Sequence, residues 1–434
     1  MNVCARWLLS LLVVFALPLH ALDMAAVIAA AERYDAHYLR AQSHFQQVSY
    51  LDDEARGALK PQLLLSHYQR YTEQDVIDSS NTVYRGGSSE FVSRTSLLRV
   101  EQVLYDRQAW QWYQRSSVEQ RVYVEELRAE YQNLLLRLAE GLLHRDMAAA
   151  DVELANSDVV ALERLATVQR RRFEQGEAAR VDYLDAQAAL AAARARASEA
   201  QLQQRELQRR LQMIVGEPVA PFAVQWREFD QPVELGHWWQ RAEQSSPQLI
   251  AAELRGEMAR LGRRSAQGAL LPKFYLALEY NRDANGDTLF GGGATVEGAA
   301  VYLRAQWDIY DGGSGYARLR RAGGEVRTAE LDRELVARDL RQMLDLNLDK
   351  LSSGREQVAG YRAAVAAADE LALLRQGQLQ AGTIDELTYL QADRSRIEAQ
   401  TQLRKSIGNY QLTALRLLHA AGLLDASHLK ALQG

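Results

Sequence analysis

The side chains here that could do chemistry are mostly acids, and nothing around them completes a reaction centre. Eight histidines are scattered through 434 residues with no His-Glu-x-x-His pair, and the single cysteine, Cys4, has no second thiol. Those are the spacings that hold a metal or activate a nucleophile, so neither chemistry is expected. Gly291-Gly292-Gly293 lies between two alternating apolar segments, lacks a following lysine and opens no helix. It is therefore not a phosphate-binding loop. Gly312, Gly313 and Gly315 follow a strand-like run, and a strand-to-helix join explains them better than a nucleotide. Carboxylates one helical turn apart are suited to general acid–base work. With 25% charged residues, however, chance supplies many such pairs. The expectation is a protein that is not an enzyme, with no cofactor and no metal site.

The bulk numbers narrow the class. A formal net charge of −5 gives no support for a nucleic-acid surface. Arg6, then the apolar core Trp7 to Leu19, then the small residue Ala21, read as a secretory signal peptide over 1–21. Cys4 lies inside it, so the exported chain is expected to be free of cysteine. No other run is apolar for the 18 residues a spanning helix needs.

The elements behind these residues come in duplicate. Gly57-Ala58-Leu59-Lys60-Pro61 recurs as Gly268-Ala269-Leu270-Leu271-Pro272, a little over two hundred residues later. Tyr105-Asp106 returns as Tyr310-Asp311, and Arg172 to Gln187 is echoed by Leu379 to Ala392. Three landmarks in one order mean a duplicated unit: helix, strand hairpin, very long helix, tight turn, returning helix. Proline, absent from 62 to 217 and from 273 onward, leaves room for the long helices. The first is expected over Arg107–Gln175, spanning about 100 Å. Val152, Ala155, Val159, Leu162, Ala166, Gln169 and Phe173 form a coiled-coil seam, matched by Val358, Tyr361, Val365, Ala368, Ala372, Arg375 and Leu379. On the first returning helix the seam expected is Leu184, Ala188, Ala191, Ala195, Ser198 and Leu202.

The segments 62–105 and 273–310 have period two. Phe274, Leu276, Leu278 and Tyr280 alternate with polar neighbours, as do Val301, Leu303, Ala305, Trp307 and Ile309, which predicts strands. They suit either hairpins on a soluble core or a transmembrane barrel. Four strands cannot close a barrel alone, since small barrels begin at about eight. Open edges do not face lipid, so the barrel reading requires an oligomer.

In the duplicated turns and in Tyr310-Asp311-Gly312-Gly313, the chain resembles the TolC family of outer-membrane efflux and secretion channels, over essentially its whole exported length. The resemblance implies a mainly α fold with a β part. Three protomers would share a twelve-stranded barrel, four strands each, and their duplicated helical hairpins would form an α-barrel tunnel. It places the protein in the outer membrane of a Gram-negative bacterium, reaching into the periplasm. The implied layout is a first repeat at 22–215, an equatorial connector at 216–247 and a second repeat at 248–434. The implied partners are two further copies, a periplasmic adaptor, an inner-membrane transporter and outer-membrane lipid.

The resemblance also nominates site residues. Gln175, Gly176, Glu177 and Ala178, with Ala381, Gly382, Thr383 and Ile384, match the turns where the adaptor docks. The family's gate often carries aspartates six and nine residues after the turn glycine. Here Asp182 and Asp185 match in the first copy, whereas Thr388 and Gln391 stand there in the second. The pore constriction is therefore assigned to Asp182, Asp185, Asp385 and Glu386. A solvated face or a helix cap is the plainer role for each. A periplasmic adaptor is disfavoured by the duplication, and a structural coiled coil by the strand hairpins. The cargo (protein, drug or metal) stays open, with a lean to protein secretion.

Overall fold

A computed structural model describes residues 23–78, 87–221, 224–287 and 292–432. The expected signal peptide and Gly291 lie outside the described residues. In chain order, α1 (Met24–Tyr34), α2 (Ala36–Val48) and α3 (Leu51–Gly57) lead to a hairpin of β1 (Gln62–Val76) and β2 (Gly87–Tyr105). The 68-residue α4 (Arg107–Glu174) follows, then α5 (Arg180–Val215). After the connector, α6 (Leu235–Ser245) and α7 (Pro247–Gly268) precede β3 (Lys273–Asn285) and β4 (Ala294–Gln306). The 67-residue α8 (Ser314–Gln380), α9 (Glu386–Ala420) and the short α10 (Ala426–Lys430) complete the chain. The long helices appear where proline is missing, as a helix interior requires.

Two compact units result, and neither is one copy of the repeat. Of the described residues, one takes those within 23–39, 130–240 and 343–432, the other those within 40–129 and 241–342. Each draws on both copies, so the duplication is a repeat of topology and does not define separate bodies.

In the second unit the four strands make one antiparallel sheet in the order β1-β2-β3-β4. Its register lines up Leu63, Val100, Leu278 and Val301 across all four strands, with Leu65, Leu98, Tyr280 and Ala299 beside them. Apart from half-buried Val100 this row is exposed: Leu63 is 71% and Val301 66% accessible. The opposite face is polar and internally paired. Arg304 bonds both carboxylate oxygens of Glu101 at 2.9 Å, Thr95 donates to Asp283 at 2.6 Å, and Arg99 and Tyr302 both donate to Glu279. One apolar and one polar face is what alternation across a shared register produces. β4 ends at Gln306, four residues short of the expected hairpin end at 310. The Trp307 indole donates to the Leu270 carbonyl at 3.0 Å, and positive φ at Gly312 and Gly313 turns the chain before α8. Asp311 accepts from the Ser314 hydroxyl and the Gly315 amide at that start, and Arg318 pairs with it at 3.0 Å. Those bonds hold its carboxyl below the usual range. Below the sheet, α4 and α7 pack Val118, Val122, Ala251, Leu254 and Leu261 into one buried cluster.

The first unit is helical. Leu134, Leu135, Leu138, Leu142 and Leu143 of α4 are wholly buried, together with Leu417 of α9 and Trp238 of α6. The connector holds its tryptophans as packing residues. Trp238 donates to the Pro232 carbonyl at 2.8 Å, and Trp226 lies 4.7 Å from the Tyr410 ring with the Arg362 guanidinium over it. Buried Arg145 donates to the carbonyls of Val219 and Ala220, and burial lowers its pKa from the ordinary value. The seam expected on α5 is displaced. Leu184, Ala188, Ala191, Ala195, Ser198 and Leu202 are exposed, while Ala186, Ala193, Ala197 and Leu211 are buried. An alanine-rich helix offers more than one stripe, and contacts within the protomer select the one through Ala186, Ala193 and Ala197. On α8, Val358 and Ala372 of the expected seam are buried, but Tyr361 is exposed.

Candidate functional site

Both turns are built the same way. At the end of α4 the Gly176 amide donates to the Phe173 carbonyl at 3.0 Å and Glu177 to Arg172 at 2.8 Å. At the end of α8, Gly382 donates to Leu379 and Thr383 to Gln378, both at 3.0 Å. This closing pair needs a left-handed residue, and the glycines have φ of +76° and +70°. A Cβ on either would meet nothing within 4 Å. Within the protomer a side chain there is opposed by backbone strain alone. Gln175, Glu177, Ala381 and Thr383 are exposed, and Ala178 and Ile384 half-buried.

The nominated acids divide by partner. Asp182 is exposed and accepts a 3.3 Å bond from the Ala179 amide, and Asp185 is exposed. Asp385 caps α9: it accepts from the Thr388 amide at 3.0 Å and the Thr388 hydroxyl at 2.5 Å. Those bonds, the hydroxyl's first, hold its carboxyl below the usual range. Glu386 pairs with Arg164 of α4 at 2.8 Å. The second turn thus engages its two acids within the protomer, and the first leaves its two largely to solvent. Phe173 and Tyr183 stack across the first turn with ring centroids 5.8 Å apart.

Sequence reading missed the ladder beyond Glu386. Along α4 and α9, Asp158 pairs with Arg394, Asp151 with Lys405, Asp146 with Arg404 and Glu140 with Arg416. From Glu140 to Asp158 along α4 the partner on α9 moves back from Arg416 to Arg394, the sense of antiparallel helices. Acids on α4 facing bases on α9 were the available signal. Asp146 is 2% exposed and grips Arg404 through two guanidinium nitrogens. This bond leads the causes that raise the Arg404 pKa. Gly408 makes room here, because a Cβ would lie 3.0 Å from the Met147 sulfur. The rungs are thus unequal: Asp146 is buried against Arg404, while the Arg164–Glu386 pair beside the turn is half-exposed on both sides.

Among the described residues no group of His, Cys, Asp and Glu is placed to hold a metal ion, and no described helix is long and apolar enough to cross a membrane. The comparisons with known proteins follow the duplication. The family described as "Outer membrane efflux protein" matches residues 30–217 and 238–423. The alkaline protease secretion protein AprF of Pseudomonas aeruginosa is 25% identical over 385 residues, 86% of this chain and 79% of that one. The outer membrane protein TolC of Vibrio cholerae is 22% identical over 377 residues, covering 86% of this chain and 84% of its own. Among solved structures, the CmeC outer membrane channel of Campylobacter jejuni superposes with a TM-score of 0.80 at 14% identity. That superposition covers 94% of this chain and 88% of CmeC.

Proposed function

The chain belongs to the outer membrane efflux protein family, as an outer-membrane exit duct of efflux or type I secretion, and from that premise we propose that it works as a passive homotrimer. The observation that carries this reading is the sheet: one exposed apolar face, one paired polar face and two open edges. In lipid such a sheet must close, and three copies supply twelve strands. The helical hairpins then extend the duct into the periplasm. The two glycine turns receive a periplasmic adaptor, whose inner-membrane transporter supplies the energy. Asp182 and Asp185, the acids least engaged within the protomer, line the constriction as a ring, with Asp385 and Glu386 lesser contributors. No residue of the duct performs a reaction. The likeness to a protease secretion protein favours a protein cargo through a type I system.

Fractionation of the outer membrane, followed by a gel that preserves trimers, tests the assembly. The expected result is a membrane-bound trimer that needs detergent for extraction. A monomer soluble without detergent overturns the reading.

A further inference from the structure

The two open edges of the sheet end in unlike surfaces. Just beyond β4, Trp307, Ile309 and Tyr310 are 57%, 80% and 85% exposed. Trp307 is nonetheless held in place by its bond to the Leu270 carbonyl. Asp308 between them is exposed and has no hydrogen-bond or ion-pair partner among the described residues. At the foot of β1 and β2, Leu59, Leu104, Tyr105, Arg107 and Trp110 help line an open cavity of about 390 Å³. Leu104 and Trp110 are 55% and 48% exposed there. Lys60 and Arg107 at this end are exposed cations without an acidic partner among the described residues.

Geometry brings the two surfaces together. Each strand is antiparallel to the next, so β4 runs opposite to β1. Pairing β4 of one copy with β1 of another therefore sets the foot of β4 beside the foot of the second copy's β1. We infer that Trp307, Ile309 and Tyr310 of each protomer seat in the Leu59–Leu104–Trp110 cavity of its neighbour, with Asp308 facing the neighbour's Lys60 and Arg107. Aromatic side chains carry the largest burial per residue and gain from ring partners such as Trp110 and Tyr105. The acid and the two bases fix which edge meets which, because like charges face each other in the reversed pairings. The early end of β4 belongs to this arrangement: a strand continued to 310 would commit these residues to the ladder. This inference rests on the trimeric barrel.

The test uses two differently tagged full-length chains, both Cys4→Ala, one carrying Lys60→Cys and the other Asp308→Cys. A short bifunctional maleimide should yield a covalent heterodimer in the outer-membrane fraction. Arg107→Cys in place of Lys60→Cys should do the same. Adding Trp307→Ala and Ile309→Ala should cut that product several-fold and lower the temperature at which the trimer dissociates on the gel. An intact trimer that gives no heterodimer with either partner overturns the inference and leaves the barrel standing. If the unsubstituted chain forms no trimer, the barrel reading fails and the inference with it.

Discussion

At Gly176 and at Gly382 the chain closes its hairpins with equivalent backbone bonds and nearly equal φ, yet the acids that follow are engaged differently. After Gly382, Asp385 caps a helix and Glu386 holds Arg164 of the neighbouring α4. After Gly176, Asp182 makes one long bond to a backbone amide and Asp185 is exposed. Duplication preserved the turn because left-handed φ leaves little choice but glycine. It left the charges free to diverge, since a carboxylate on a helix start can cap, pair or face solvent at similar cost. The two turns are thus equivalent as shapes and unequal as electrostatic elements.

The largest effect should come from the shared shape. Tryptophan at both Gly176 and Gly382 is expected to abolish export while trimer levels stay near normal, because no atom of the protomer opposes the new Cβ at either site. Export assays beside trimer gels check this, and normal secretion by the double variant would remove the turns from docking.

Next in size is the ladder that ties the second turn to α4. Arg404→Met leaves the Asp146 carboxylate buried and unpaired, which should cost about 3–5 kcal/mol. Arg164→Met, at a pair half-exposed on both sides, should cost about 0–1 kcal/mol. Denaturant midpoints of the detergent-extracted protein measure both, and equal losses would contradict the difference in burial.

A smaller, electrical effect should separate the two turns. In the proposed trimer Asp182 would stand in a ring of like charges, which would attract cations and be screened over about 8–10 Å in physiological salt. Asp182→Ala should lower cation preference and multivalent-cation block in planar bilayers more than Asp385→Ala does, with the double variant lowest. Selectivity unchanged in the double variant would return both acids to solvated or capping roles. Glu386→Gln should change selectivity least, since Arg164 already offsets that charge.

The smallest effect is in pH. Burial pushes the His419 imidazole below its ordinary pKa, against a weaker upward pull from Glu140, and the ring sits 2.8 Å from the Asn133 side-chain oxygen. Its folded pKa lies below the unfolded one. Its contribution is therefore complete above the unfolded pKa of about 6.5 and is lost as pH falls through the folded value. Between pH 7 and 5 the unfolding midpoint of the parent should fall more steeply than that of His419→Gln. Parallel pH profiles would show that this ring does not titrate on unfolding.

The sequence by itself determined the elements. Absent prolines, seams of three and four and period-two runs mark long helices and strands because those signals are local to the backbone. The duplicated Gly176 and Gly382 likewise fixed the turns, because positive φ is a property of one residue. Tertiary structure decided which alanine stripe on α5 is buried, and that β4 stops at Gln306. It also decided that each compact unit mixes both copies, and that Asp146, Asp158 and Glu386 reach across to Arg404, Arg394 and Arg164. These outcomes depend on which faces meet across hundreds of residues. Charge and hydrophobicity along one helix are compatible with several partners until packing selects one.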